Sequence, residues 1–174
     1  MDESVTCTRI IRFCAGHRIV GHESKCAGLH GHTYEAHVTA EAELDELGRV
    51  IDFSVLKERI GGWVDENWDH ALVLDAADPD ADELRAYGRV AAINGPPTAE
   101  NMAAHLGEAC RALFGAQTKR GGTHIKPVEP RVRVTKIVLW ETANCYATWR
   151  AGAVDAVEDP IQYDGSPLSA HEAR

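Results

Sequence analysis

The chain has 174 residues, 44% of them hydrophobic and 26% charged, with a net charge of −9 at neutral pH. That size and balance predict one soluble globular domain able to bury a sizeable core. The acidic excess argues against a nucleic-acid partner, although a local basic patch can still receive an anionic small molecule.

From Thr6 to His17, residues Ile11, Phe13, Ala15 and His17 share one parity and Thr8, Arg12 and Cys14 the other, the period of a half-buried strand. The alternation returns from His30 to about Ala42, with His32, Tyr34, Ala36, Val38 and Ala40 on one face. Leu44 to Gly48 reads as a connection. A helix is then predicted from Asp52 or Ser54, either of which can cap it, with an apolar stripe of Phe53, Leu56, Ile60, Trp63 and Val64. Gly61-Gly62 weakens the middle of that helix.

Residues 75–95 are acidic, then rich in turn-formers, and predict an excursion or loop. A second helix follows Pro96-Pro97, with Thr98 as N-cap, Glu100 in the first turn, Met102, Leu106, Ala109 and Leu113 as its buried stripe, and Gly115 as its end. Residues 116–130 are basic and loop-like, strands are predicted at about 131–141 and 144–150, and residues 151–174 form a polar tail. The order is ββααββ, an α+β pattern: a four-stranded antiparallel sheet with two helices on one face, in a single domain over residues 1–150.

No apolar run approaches bilayer length, and the opening Met-Asp-Glu-Ser is acidic, unlike a secretory or organellar leader. No membrane partner and a cytoplasmic location are expected. The five cysteines (Cys7, Cys14, Cys26, Cys110, Cys145) include no C-x-x-C pair, and their odd number fits a disulfide framework poorly, so reduced thiols are expected.

The chemistry concentrates in H-R-I-V-G-H-E-S-K-C-A-G-L-H-G-H-T-Y, residues 17–34. His30 and His32 project from one face of a strand, and His17 has the matching parity on the strand before it. If the two strands pair as an antiparallel hairpin, the three imidazoles meet at one end of the core. Three histidines with an open position are the ligand set of a catalytic zinc, and on ligand type alone iron, nickel and copper also fit. Cys26, in a polar loop beside Lys25, is open between two roles, a fourth ligand or a free thiolate base.

Asp69-His70 resembles an acid–base relay, but adjacent strand residues point opposite ways, so a direct bond needs a turn or irregular backbone. Glu141, at the end of an aliphatic strand, can bind an N–C–N edge through two hydrogen bonds, or can simply be a charged strand terminus. His37, His105, His124 and His171 read as ordinary polar histidines, and His22 as a loop residue of no assigned role.

These pieces together resemble the 6-pyruvoyl-tetrahydropterin synthase / 6-carboxytetrahydropterin synthase family. The stretches that carry the likeness are F-C-A-G-H (13–17), C-A-G-L-H-G-H-T-Y (26–34), V-I-D-F-S-V-L-K (50–57), D-H (69–70), P-T-A-E-N (97–101) and W-E-T (140–142). The resemblance implies the tunnelling fold, with subunits forming a barrel as a trimer or hexamer and active sites at subunit interfaces. It implies Zn2+ on His17, His30 and His32, Cys26 as proton-abstracting base, Asp69 and His70 as its acid–base partners, and Glu141 as anchor of the pterin ring.

Three residues between the cysteine and H-G-H resemble the bacterial carboxy-forming branch of the queuosine and 7-deazapurine pathway. That branch implies conversion of 7,8-dihydroneopterin triphosphate to 6-carboxy-5,6,7,8-tetrahydropterin, acetaldehyde and triphosphate. Formation of 6-pyruvoyl-tetrahydropterin or a related side-chain cleavage is the alternative, and a non-catalytic pterin- or metal-binding protein is a third reading. Arg18, Lys25 and the basic segment 119–133 are the cations available to a triphosphate. The likeness departs at Gly16, at D-H-A-L-V-L-D, and in the length of the 75–95 and 115–130 segments.

Overall fold

A computed structural model of the chain describes residues 5–115, 119–120, 123–124 and 131–152. β1 (Thr6–His17) and β2 (His30–Glu41) pair antiparallel along their whole length, from Thr6 opposite Glu41 to His17 opposite His30. The alternation that predicts them also buries them: Ile11, Phe13, Ala15 and His17 from β1 and Tyr34, Ala36, Val38 and Ala40 from β2 face the core. A one-residue slip would turn both sets to solvent, so the register is strongly specified.

α1 (Phe53–Leu56) passes through a π-helical turn (Lys57–Gly61) into α2 (Gly62–Asn67) without a break. Asp52 caps it, its Oδ1 accepting from the Ser54 amide at 2.8 Å. Leu56, Ile60 and Val64 are fully buried, whereas Phe53, assigned to the same stripe by spacing, is 52% exposed. Gly61-Gly62 marks the point where the widened turn returns to α geometry, and Gly61 is buried there.

The sheet differs from the four-stranded antiparallel expectation. β3 (Ala71–Asp75) lies parallel to β1, and after the short helix α3 (Ala81–Leu84), β4 (Val90–Ile93) lies parallel to β3. Both strands are short, unalternating apolar runs separated by an acidic crossover, so neither carries the period that marks β1 and β2.

α4 (Ala99–Gly115) starts and ends as predicted, with Thr98 Oγ1 accepting from the Asn101 amide at 3.3 Å. It packs on the sheet through Met102, Ala103, Leu106 and Cys110, all fully buried. Within the expected 116–130 loop, β5 (Lys119–Arg120) and β6 (Thr123–His124) make a small antiparallel ladder. β7 (Arg133–Thr142) then pairs with β2, and β8 (Cys145–Arg150) with β7.

The main sheet is thus six-stranded and mixed, in the order β4-β3-β1-β2-β7-β8. Among the described residues no helix is long and apolar enough to cross a membrane. The tail expected over residues 151–174 lies outside the described residues from 153 onward, as does His171.

Candidate metal centre and active site

The β1–β2 register sets His17 directly opposite His30, and Ala15 opposite His32. Between them Gly16 faces Gly31, and this pair lets the backbones approach closely. A Cβ on Gly31 would stand 3.0 Å from the Ala15 carbonyl oxygen. The three imidazoles converge as the parity predicts: ring centroids are 4.4 Å apart for His17 and His30, 5.2 Å for His17 and His32, and 5.1 Å for His30 and His32. Their ligand nitrogens lie within 4.8 Å of one another.

The surroundings suit a metal. His17 Nδ1 donates to the Pro97 carbonyl at 2.8 Å and His30 Nδ1 to the Gly28 carbonyl at 2.8 Å. A carbonyl only accepts, so each bond puts the proton on Nδ1 and leaves a lone pair on Nε2. His17 Nε2 is buried without a hydrogen-bond partner in the protein. Burial, above all, holds the His17 imidazole below the ordinary histidine range, and the neighbouring His30 and His32 act in the same direction. A buried, neutral, unpartnered imidazole nitrogen facing two others is a donor set for a divalent ion.

Glu141 stands at the open side of this group, its Oε1 3.5 Å from His17 Nε2 and 3.8 Å from His32 Nε2. It continues the parity of the buried Ile137 and Leu139, and the β7–β8 ladder is irregular between Trp140 and Thr142. A bulge at that point aims a side chain that a regular ladder would leave at the strand end. Tyr34 packs beneath, stacked on Phe13 with ring centroids 5.2 Å apart, and its buried hydroxyl has no partner in the protein. Burial first, and then the Glu141 carboxylate, push the Tyr34 phenol well above the ordinary tyrosine range.

Cys26 occupies a single 3₁₀ turn (Lys25–Ala27), tied down where the Ile19 amide donates to the Cys26 carbonyl at 2.8 Å. The same turn leads to Gly28, whose carbonyl orients His30. Cys26 is half-buried and stands outside the group of three histidines whose ligand atoms converge. The side-chain group described against the ligand nitrogens of that trio is the Glu141 carboxylate.

Asp69 and His70 lie between α2 and β3. His70 Nδ1 and Asp69 Oδ2 are 2.8 Å apart. The irregular backbone this bond requires is present: His70 has φ of 56°, in the left-handed region. Asp69 Oδ1 accepts from the Cys14 amide at 2.8 Å, and the His70 amide donates to the Cys14 carbonyl at 2.6 Å. The Cys14 amide, with help from His70 and Arg89, holds the Asp69 carboxyl below the ordinary range. The His70 side chain is 80% exposed.

Of the cations considered for an anionic substrate, Arg18 is committed elsewhere. Its guanidinium grips the buried Asp78 through two bonds and Asp80 through a third at 2.7 Å. Most of segment 119–133 lies outside the described residues. Two contributors carried no sequence signal: the Pro97 carbonyl, a backbone atom 80 residues from the ring it orients, and the Tyr34 hydroxyl, whose parity marks it only as core. His37, read as ordinary, bonds Glu35 at 2.6 Å, and Glu35 in turn bonds Arg12 at 2.6 Å.

A convergent histidine trio on a two-stranded ribbon, with a carboxylate beside it, makes a site that could hold a metal ion. The model of the 6-pyruvoyl tetrahydropterin synthase family matches residues 6–152, and the chain belongs to that family. Among curated relatives, the 6-carboxy-5,6,7,8-tetrahydropterin synthase of Rickettsia bellii is 42% identical over 147 residues, covering 82% of this chain and 97% of the relative.

Two solved structures share the fold at low identity. An uncharacterized protein from Wolinella succinogenes has a TM-score of 0.69 at 22% identity, covering 87% of this chain and 100% of its own. The 6-pyruvoyl tetrahydropterin synthase of Caenorhabditis elegans has a TM-score of 0.58 at 22% identity, with coverage of 86% and 97%.

Proposed function

We propose that the chain is a zinc-dependent lyase that converts 7,8-dihydroneopterin triphosphate to 6-carboxy-5,6,7,8-tetrahydropterin, acetaldehyde and triphosphate, in the cytoplasmic route to queuosine and other 7-deazapurines. The observation that carries the reading is the convergence of three imidazoles whose ligand nitrogens lie within 4.8 Å of one another, two of the rings fixed by carbonyl acceptors at 2.8 Å. The name carried by a relative at 42% identity, 6-carboxy-5,6,7,8-tetrahydropterin synthase, supports the product of that reaction.

In this reading His17, His30 and His32 hold the zinc. Bound there, the ion supplies Lewis acidity to the substrate's side-chain oxygens. Cys26 acts as a thiolate base on a carbon-bound proton. Asp69 keeps the His70 proton on Nδ1, so that Nε2 is the nitrogen that exchanges a proton with the substrate. Glu141 offers two acceptor oxygens to the amino-pyrimidine edge of the pterin, and its closeness to the triad keeps ring and side chain in one site.

The exposure of His70 supports an interfacial site. An acid–base imidazole needs walls that exclude water, and at 80% exposure this subunit gives it few. A second copy in a trimer or hexamer would supply them.

The test is direct. Zinc-loaded protein is incubated with 7,8-dihydroneopterin triphosphate and the products are identified by mass spectrometry. Carboxytetrahydropterin with acetaldehyde is the expected result. The family model's own name keeps 6-pyruvoyl-tetrahydropterin as the second reading, which a pyruvoyl product would select. Unchanged substrate would remove both.

A further inference from the structure

Arg89 lies in the 75–95 stretch, which the assigned roles leave without a purpose. Its guanidinium is spread over three backbone carbonyls: Glu66 at 2.8 Å, Asp65 at 3.2 Å, and Asp69. The first two belong to the end of α2, where carbonyls lack helical partners and a cation is favourable. The third is different in kind, because the Asp69 carbonyl belongs to the peptide that joins Asp69 to His70.

That peptide is pinned on both sides. Its carbonyl accepts from Arg89, and its amide donates to the Cys14 carbonyl at 2.6 Å. Orientation of this plane sets φ of His70, which at 56° lies in the left-handed region that a non-glycine residue rarely adopts. In that conformation the two neighbouring side chains meet, with Asp69 Oδ2 and His70 Nδ1 2.8 Å apart.

The topology explains how Arg89 arrives. β3 and β4 are parallel, with Leu72 opposite Val90, so the residues just before each strand sit side by side. The Leu72 amide donates to the Arg89 carbonyl at 2.8 Å, fixing that adjacency. The crossover from Asp75 to Arg89 thus carries the chain back to the start of β3.

We propose that Arg89 is a positioning residue: by clamping the Asp69 carbonyl it holds the Asp69–His70 pair in its bonded, left-handed geometry. This rests on the reading of that pair as the acid–base partners. The ionisable neighbours of the pair are Arg89 itself, Cys14 from β1, and Asp65 and Glu66 at the end of α2.

The test uses the full-length, zinc-loaded protein and Arg89→Ala, with Arg89→Lys as the second variant. Two quantities are read: the His70 ring tautomer by nitrogen-15 NMR, and kcat against KM. In the parent the neutral His70 ring carries its proton on Nδ1. In Arg89→Ala it shifts toward the Nε2–H form that a free imidazole prefers, and kcat falls on the order of 10- to 100-fold with KM little changed. Arg89→Lys, a point charge that cannot span three carbonyls, falls between.

A variant that melts lower but keeps the parent's tautomer and kcat makes Arg89 a helix-end stabiliser only, and overturns the proposal. If Arg89→Ala does not fold, the same two readings on Arg89→Lys decide. A parent protein that leaves dihydroneopterin triphosphate unchanged would sink the lyase reading instead, and the tautomer comparison would still judge Arg89.

Discussion

The Nδ1 of His17 bonds the carbonyl of Pro97 at 2.8 Å, across 80 residues of chain. The bond couples the β1–β2 ribbon to the turn that opens α4, and it selects the tautomer in which Nε2 is free to bind a metal. His17→Ala should therefore lose bound metal, with a drop in affinity larger than the roughly 10- to 100-fold that accompanies loss of an outer partner. His37→Ala is the matched control, since His37 bonds Glu35 on the opposite face of β2. Metal content by mass spectrometry after dialysis reads both; retention of metal by His17→Ala would remove the triad from the mechanism.

Cys26 separates two roles that its spacing alone leaves open. Its place outside the converging histidines favours the base over the fourth ligand. Cys26→Ala is expected to keep its zinc while turnover falls by about 10²–10⁴, the span of a general acid–base group. Loss of zinc together with activity would make the thiol a ligand.

How far these features could be read in advance depends on their range along the chain. The ribbon and its triad are legible because period-two alternation runs unbroken through Ile11–His17 and His32–Ala40, and parity alone then faces three imidazoles inward. β3 and β4 are not, because A-L-V-L and V-A-A-I are short apolar runs without alternation. The Asp69–His70 bond depends on a left-handed residue and on a guanidinium from a parallel neighbour, neither of which local pattern encodes. Glu141 is readable as a strand-end acid, but the irregular register that aims it at the triad is a property of how β7 meets β8.

The glycine of H-G-H should prove as sensitive as the histidines. A Cβ on Gly31 would meet the Ala15 carbonyl oxygen at 3.0 Å and Gly16 Cα at 3.5 Å, both backbone atoms that cannot swing aside. Gly31→Ala must push the strands apart where His17 faces His30, at a cost of about 1–3 kcal/mol for overpacking. It should lower both the melting temperature and zinc affinity. Gly28→Ala makes only an ordinary 3.6 Å contact with the Lys25 carbonyl and should change little. Equal behaviour of the two variants would refute the close-approach account.

Acid should weaken the metal-free protein in two stages. His17 and His105 are both held below the ordinary histidine value of 6.5, chiefly by burial, with Glu108 partly opposing the shift at His105. His105 packs against Trp63 and Trp68, with ring centroids 6.0 and 5.8 Å away. Each folded site binds its proton less readily than the unfolded chain does. The stability they contribute is therefore complete above 6.5 and is lost as the pH falls below it. The Asp78 carboxyl, held below 3.8 first by Arg18, adds stability that is complete above 3.8 and is lost as the pH falls from there through its lowered folded-state value. Urea midpoints of chelator-treated protein should accordingly decline between pH 7 and pH 5, and His105→Phe should flatten part of that slope. A midpoint constant across that interval would show that neither imidazole is held neutral by the fold.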